Sequence, residues 1–246
     1  MDHQTYLDLE AAAFAAWPAL APDEMFMGWR LRYSGGTTKR INSANSTVEA
    51  ADLTPDQIDQ VEQRYRQRGL PAIFRMTSVA TPPHIDAALE ARGYRQVDPT
   101  WVMTLPMQNF AGSGSSLRAL DVDEWLDCYR HITQADGSAL STNMKMIRAG
   151  NDGCVFAVEY LEGVPRSCGI GVISSEQIGL FAVATDPAHQ RKGLANRLCA
   201  KLLDWGREQG ATGAYLQVVQ SNVRAMRMYE NLGFKPAYHY WYRVLP

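Results

Sequence analysis

The sequence predicts an α/β or α+β fold present as two copies in tandem. Three observations lead there. First, strand-length apolar runs alternate with helical stretches along all 246 residues, which is the pattern of sheets covered by helices. Second, the two halves end alike. LEARGYRQVDPTWVMTLP (89–106) and YENLGFKPAYHYWYRVLP (229–246) align without a gap, placing Gly93 on Gly233, Tyr94 on Phe234, Trp101 on Trp241, Leu105 on Leu245 and Pro106 on Pro246. Upstream, GLPAIFRMTS (69–78) resembles GATGAYLQVV (210–219) after a one-residue adjustment. Third, the small, flexible run Ala111-Gly112-Ser113-Gly114-Ser115-Ser116 reads as a linker. The expected units are 1–110 and 115–246.

Taken in order, residues 5–17 predict a helix with Leu7, Leu9, Ala13, Phe14 and Trp17 available for burial, stopped by Pro18. Trp29–Tyr33 and Ile41–Val48 predict strands around a Ser34-Gly35-Gly36 turn. Thr54-Pro55-Asp56 opens a helix, with a capping Thr and Pro at the first position, that runs to Arg68 and ends at Gly69. A strand at 72–77, a helix at 83–92 closed by Gly93, and a strand at 101–105 complete the first half. The second half predicts a strand at 117–120, helices at 122–132 and 138–149, and strands at 154–161, 166–175 and 178–184. A helix from about Lys192 to Gln209 carries Leu194, Leu198, Leu202 and Trp205 on one face. A strand at 214–219, a helix at 222–232 and a strand at 238–244 end the chain.

Composition narrows the function. The hydrophobic fraction is 46%, the charged fraction 20% and the net charge −2, ordinary for a globular protein. Residues 1–110 hold 10 Lys+Arg against 13 Asp+Glu and the remainder 14 against 13, so neither half has the basic excess of a nucleic-acid binder. No apolar run reaches a membrane span, and the acidic N-terminus is not a secretory signal. Cys128, Cys154, Cys168 and Cys199 are scattered and read as reduced thiols, pointing to the cytoplasm. No two His lie at i and i+4, and no metal site is expected.

Chemistry concentrates in GLFAVATDPAHQRKGLANRL (179–198). A buried strand enters a loop, Gln190-Arg191-Lys192-Gly193-Leu194-Ala195, that opens an amphipathic helix. Unpaired N–H groups at a helix start, reinforced by the helix dipole, form an anion site suited to phosphate. Gly193 and Ala195 allow close approach; Arg191 and Lys192 add charge at the rim.

This segment resembles the acetyl-CoA-binding motif of the GNAT superfamily of N-acetyltransferases: Gln or Arg, two residues, Gly, one residue, then Gly or Ala, met here by Gln190, Gly193 and Ala195. The later Ser221-Asn222, Ala225, Tyr229, Gly233 and Phe234 resemble the family's second signature. The resemblance covers about 115–246. It implies a mixed, mostly antiparallel sheet flanked by helices whose fourth and fifth strands splay to admit the pantetheine arm. Backbone groups near Phe181, Ala182 and Val183 would pair with that arm, amides from Gln190 to Ala195 would hold the pyrophosphate, and Asn222 would line the pocket. Tyr229 would protonate the departing sulfur. The implied reaction is direct attack of a small-molecule or peptide amine on acetyl-CoA in a ternary complex, by a monomer or homodimer. The alternative is a non-catalytic CoA-binding or sensing module.

A base is not evident. The fourth-strand position where several relatives carry Glu holds Gly179; Glu176, Gln217 acting through water, Glu159 and Asp136 are candidates, the acids otherwise reading as solvated surface groups. In the first half, Leu89 and Pro82 stand where Tyr229 and Asn222 stand, and no phosphate loop lies between Arg40 and Gln63. That copy is expected to be degenerate and silent. Its cationic and amide residues around Arg30, Arg32, Lys39, Arg40 and Asn42 read as surface strand residues or, functionally, as groups that help close an acceptor pocket for an anionic group.

Overall fold

The computed structural model describes residues 3–19, 21–34, 38–135, 144, 147–148 and 152–246. The helix expected at 138–149, the turn at Gly35-Gly36 and the candidate Asp136 lie wholly or mainly outside these residues. In chain order the described elements are α1 (His3–Ala16), β1 (Glu24–Phe26), β2 (Trp29–Leu31), a 3₁₀ turn (Lys39–Ile41), β3 (Ala44–Ser46), α2 (Pro55–Arg66), β4 (Ile73–Thr77), α3 (Pro83–Ala91) and β5 (Arg95–Pro106). They continue with β6 (Ala119–Leu120), α4 (Val122–Thr133), β7 (Cys154–Leu161), β8 (Val164–Ser174), β9 (Gln177–Thr185), α5 (Leu194–Glu208), β10 (Gly213–Val219), α6 (Val223–Asn231) and β11 (Lys235–Val244).

The helix starts follow from local chemistry. Thr54 and Gln57 form a reciprocal capping box at α2, with Pro55 in the first turn. Asp121 accepts from the N–H groups of Asp123 and Glu124 at α4. β5 is longer than the 101–105 expected: it begins at Arg95 and absorbs the Asp98-Pro99 interruption by a turn of backbone at Asp98, φ +50°.

All eleven strands join one mixed, mostly antiparallel sheet in the order β1-β2-β3-β4-β11-β5-β10-β9-β8-β7-β6. The last strand of each half crosses over. β11 lies antiparallel to β4, with Trp241 opposite Met76, and β5 lies antiparallel to β10, with Trp101 opposite Val218. β5 and β11 then pair with each other, Lys235 with Thr104 and Val244 with Arg95.

Side-chain alternation assigns the faces. Tyr238, Tyr240 and Tyr242 point to the same core as α1 and α4, with Phe156, Phe181 and Tyr215. The opposite face is covered by α5 and α6 over Leu180, Leu216 and Val218, and by α2 and α3 over Phe74 and Met76. Under α1, the buried Arg75 donates to both oxygens of the buried Glu10 at 2.6 and 2.8 Å, and Tyr238 donates to the same carboxylate. Burial opposes ionisation of Glu10, but the Arg75 charge outweighs it and holds the carboxyl below its usual range. The 111–116 segment is anchored: the N–H and hydroxyl of Ser113 donate to Asp204 of α5 at 2.7 and 2.5 Å.

Candidate active site

β9 and β10 pair in parallel only from Gln177–Gly213 to Leu180–Leu216, although β9 continues to Thr185 and β10 to Val219. Beyond Leu180 the two strands part. The departure coincides with a bulge: the β8–β9 register shifts between Cys168 and Ile170, and Ala182 takes φ +48°. A bulge bends its strand and sharpens its twist, which carries β9 away from its neighbour. The gap opens a cavity of about 1180 Å³. Because Leu180 and Phe181 face opposite sides of the sheet, it reaches from the α5–α6 face through to the α1 face.

The loop after β9 is built to turn sharply. Asp186 accepts from the Ala188 N–H and holds Arg166 and His189. The Ala188 N–H first, then those two side chains, keep its carboxyl below the usual range. Arg191 at φ +62° and Gly193 at φ +74° swing the chain into α5. Gly193 is the N-cap, and its carbonyl accepts the first helical bond from Arg197 at 3.0 Å. The first-turn N–H groups have no intrahelical acceptor. Leu194 is buried and anchors this turn, Gln190, Arg191 and Gly193 are exposed along the cavity and Ala195 is half-buried; Lys192 is exposed and is not part of the cavity lining. Gln190 accepts from Arg224 of α6 at 2.7 Å, joining the loop to the opposite wall.

Asn222 caps α6, its side chain accepting from the Ala225 N–H at 3.1 Å, and also lines the cavity. Tyr229, on the same helix, is 7% exposed and lines the cavity beneath Phe181-Ala182-Val183 of β9. Its ring meets Phe234 edge-on at 6.0 Å. Its hydroxyl has no hydrogen-bond partner among the described residues. Burial, with a smaller contribution from Cys199, pushes the phenol well above its ordinary range, so it stays protonated and able to donate.

The base candidates separate. Glu176 lies in the β8–β9 turn, at the far end of β9 from the cavity, and accepts from the Thr212 hydroxyl at 3.1 Å. Glu159 is not the solvated surface acid expected. It is buried and paired with Arg197 at 3.2 Å and Lys201 at 2.8 Å of α5, because β7 alternation points it under that helix. Gln217 lines the cavity; its carbonyl oxygen accepts from Tyr240 at 3.1 Å, leaving its amide N–H groups as donors. At Gly179 a Cβ would fall 2.5 Å from the Phe181 ring and 2.7 Å from the Tyr215 hydroxyl, so a side chain there has no room.

In the first half, β3, β4 and the turn leading into α3 are tied together by side-chain hydrogen bonds. Ser46, at the end of β3, contacts the Thr81 hydroxyl at 2.7 Å, and Thr81 accepts from the Thr77 N–H at 2.6 Å. Leu89 is fully buried, and Pro82 caps α3 without a side-chain bond. Sequence reasoning missed Arg224, Arg227 and His189 as cavity walls. The nearest signal is that Arg224 and Arg227 follow Asn222 on one exposed helix.

The comparisons with known proteins agree with this geometry. The uncharacterized N-acetyltransferase YobR of Bacillus subtilis is 25% identical over 258 residues, covering 96% of this chain and 97% of that protein. A ribosomal protein bS18-alanine N-acetyltransferase of Escherichia coli is 39% identical over 62 residues, 25% of this chain and 42% of that protein. Among solved structures, a GCN5-related N-acetyltransferase from Kribbella flavida shares the fold with a TM-score of 0.67 at 16% identity, over 99% of this chain and 93% of that one. A tandem GNAT protein from the clavulanic acid biosynthesis pathway shares it with a TM-score of 0.58 at 14% identity, over 82% and 74%. The parted strands, the loop and the relatives define a GNAT-type acetyltransferase, an acyltransferase enzyme. Within that superfamily, the chain belongs to the family described as probable histone acetyltransferase Rv0428c, C-terminal, whose model matches residues 7–243. Among the described residues no helix is long and apolar enough to cross a membrane.

Proposed function

We propose that the chain moves acetyl from acetyl-CoA to a primary amine bound in the same complex, using the C-terminal half as its one cofactor site. The observation that carries this is the cavity between β9 and β10, which joins the N-terminus of α5 to Tyr229 and opens on both faces of the sheet. The residues fit the nucleotide ester: free N–H groups at the start of α5 with Arg191 and Lys192 for the pyrophosphate, the unpaired edge of Phe181-Ala182-Val183 for the pantetheine amides, and Asn222 beside them. Acetyl-CoA supplies the acetyl group as a thioester, whose C–S bond breaks as the amine's N–C bond forms. Tyr229 donates its proton to the sulfur, and its burial favours the neutral, proton-bearing phenol beforehand. Gln217 orients a water that carries the amine proton away.

The first half reads as a degenerate copy of the same fold, its cofactor region closed by Ser46, Thr77 and Thr81 and its final strand exchanged with that of the second half. The test is calorimetric titration with acetyl-CoA together with CoA release over an amine panel that includes peptides, because the family and one relative are named for histone and ribosomal-protein acceptors. One acetyl-CoA per chain and turnover of at least one amine are expected. No binding refutes the proposal, and a stoichiometry of two refutes the silent first half.

A further inference from the structure

Among the described residues, one from the N-terminal half lines the cavity: Arg40, in the 3₁₀ turn before β3, which packs on Phe181. Its guanidinium carbon is 4.9 Å from the Trp17 ring centroid and 5.6 Å from that of Phe181, and those two rings meet edge-on at 5.9 Å. Guanidinium held against aromatic rings keeps the donors on its edge available. Among the described residues no carboxylate pairs with it, and its buried Nε has no acceptor.

The neighbouring charges are already engaged. Arg32 donates to Asp23 at 3.1 Å and to the Trp17 carbonyl at 2.6 Å; Arg30 also reaches Asp23; Lys39 is bound to Asp98 at 2.9 Å. Glu10 is taken by Arg75 and Tyr238. Two further donors lie on β10, Tyr215 behind the cavity wall and Gln217 in the lining. The Tyr215 hydroxyl is buried without a partner and feels the Arg40 charge. Gln217 has its amide N–H groups left over, since its oxygen serves Tyr240. Among the described residues lining the cavity there is no Asp or Glu. Such a site repels no anion and offers nothing to hold a second cationic group on a polyamine or a lysine-rich peptide.

Resting on the acetyl-transfer reading above, we infer that the acceptor is an amine that also bears a carboxylate, an amino acid or a close relative, and that Arg40 selects it by binding that carboxylate. The Arg40 charge, held on Trp17 and Phe181 without a carboxylate of the described residues, matches a monoanion, and the planar fork of Arg matches a carboxylate.

The test uses the full chain, acetyl-CoA and matched acceptor pairs, each L-amino acid against its own carboxamide, with CoA release as the readout. The acids are expected to exceed their amides by about tenfold or more in kcat/KM, the scale of a charge-assisted hydrogen bond. In Arg40→Gln that ratio collapses toward one, through the acceptor KM, while Arg40→Lys retains part of it and the acetyl-CoA Kd stays put. Equal rates within pairs, a preference for amides, an acid preference that survives Arg40→Gln, or no acid turned over by a chain that binds acetyl-CoA overturns the inference. A chain that binds no acetyl-CoA overturns instead the reading beneath it.

Discussion

Tyr229→Phe separates chemistry from packing unusually cleanly. The substitution keeps the ring against Phe234 and Ala225 and removes only the hydroxyl, which has no hydrogen-bond partner among the described residues. No protein hydrogen bond is lost, and because Tyr229 borders the open cavity, removing its hydroxyl relieves little desolvation. Stability should therefore stay within about 1 kcal/mol of the parent, a Tm change of at most roughly 2–4 °C for a chain of this size. The rate is another matter. General-acid assistance runs about 10²–10⁴-fold, and solvent replaces part of it, so kcat should fall by about one to three decades, ~1.4–4 kcal/mol of transition-state stabilisation. The acetyl-CoA Kd should change little. The parent's kcat should also show no loss of acid function through about pH 10, the ordinary phenol value, because burial raises the Tyr229 pKa and extends its protonated range upward. The assays are steady-state CoA release, calorimetry and a thermal melt. A variant that turns over like the parent would reduce Tyr229 to a packing residue; a loss of Tm would reveal a structural partner for its hydroxyl.

Gly193→Asp should weaken acetyl-CoA binding at least about tenfold, whereas Gly193→Asn, equally tolerant of φ +74° but neutral, should lose much less; equal losses in calorimetry would assign the effect to backbone strain instead of charge. Arg75→Met leaves Glu10 buried without its cation and should cost about 3–5 kcal/mol in denaturant melts, while pairing it with Glu10→Leu should restore most of that; additive losses would show that the pair is not coupled. The folded-state pKa of Glu10 is depressed, so its contribution is present above the unfolded value of about 4.3 and disappears as pH falls through the folded value. Acid melts of the parent should show this, and Glu10→Gln should flatten that limb; an unchanged acid limb would remove Glu10 from the account.

The loop after β9 was legible because its signals are local: a strand, a glycine that turns the chain and a helix start occupy consecutive residues. Gln190, Gly193, Ala195, Asn222 and Tyr229 therefore all reach one cavity. What the sequence hid depends on distant partners. Glu159 resembles a surface acid until β7 and α5 meet over Arg197 and Lys201. Glu10 lies in an alanine-rich helix and reads as its polar face; its cation comes from β4 and its third ligand from β11. The strand order was hidden as well. Residues 95–106 and 235–244 resemble each other in sequence, and only the assembled sheet shows that the first lies beside β10 and the second beside β4. Asp98-Pro99 shortened the expected strand because such a pair usually ends one; here it is absorbed within β5.

The crossing of β5 and β11 also shapes the order of folding. β4 has an edge that is covered by β11, more than 150 residues further along the chain, and β5 lies between β10 and β11. Neither half of the sheet is complete while the other is missing, so a half-by-half folding route is closed. Commitment comes through contacts of long sequence separation, which slow folding and leave strand edges exposed meanwhile. The same dependence makes β11 a proofreading point: a chain cut before it leaves the β4 edge unpaired and directs the incomplete product toward aggregation or degradation.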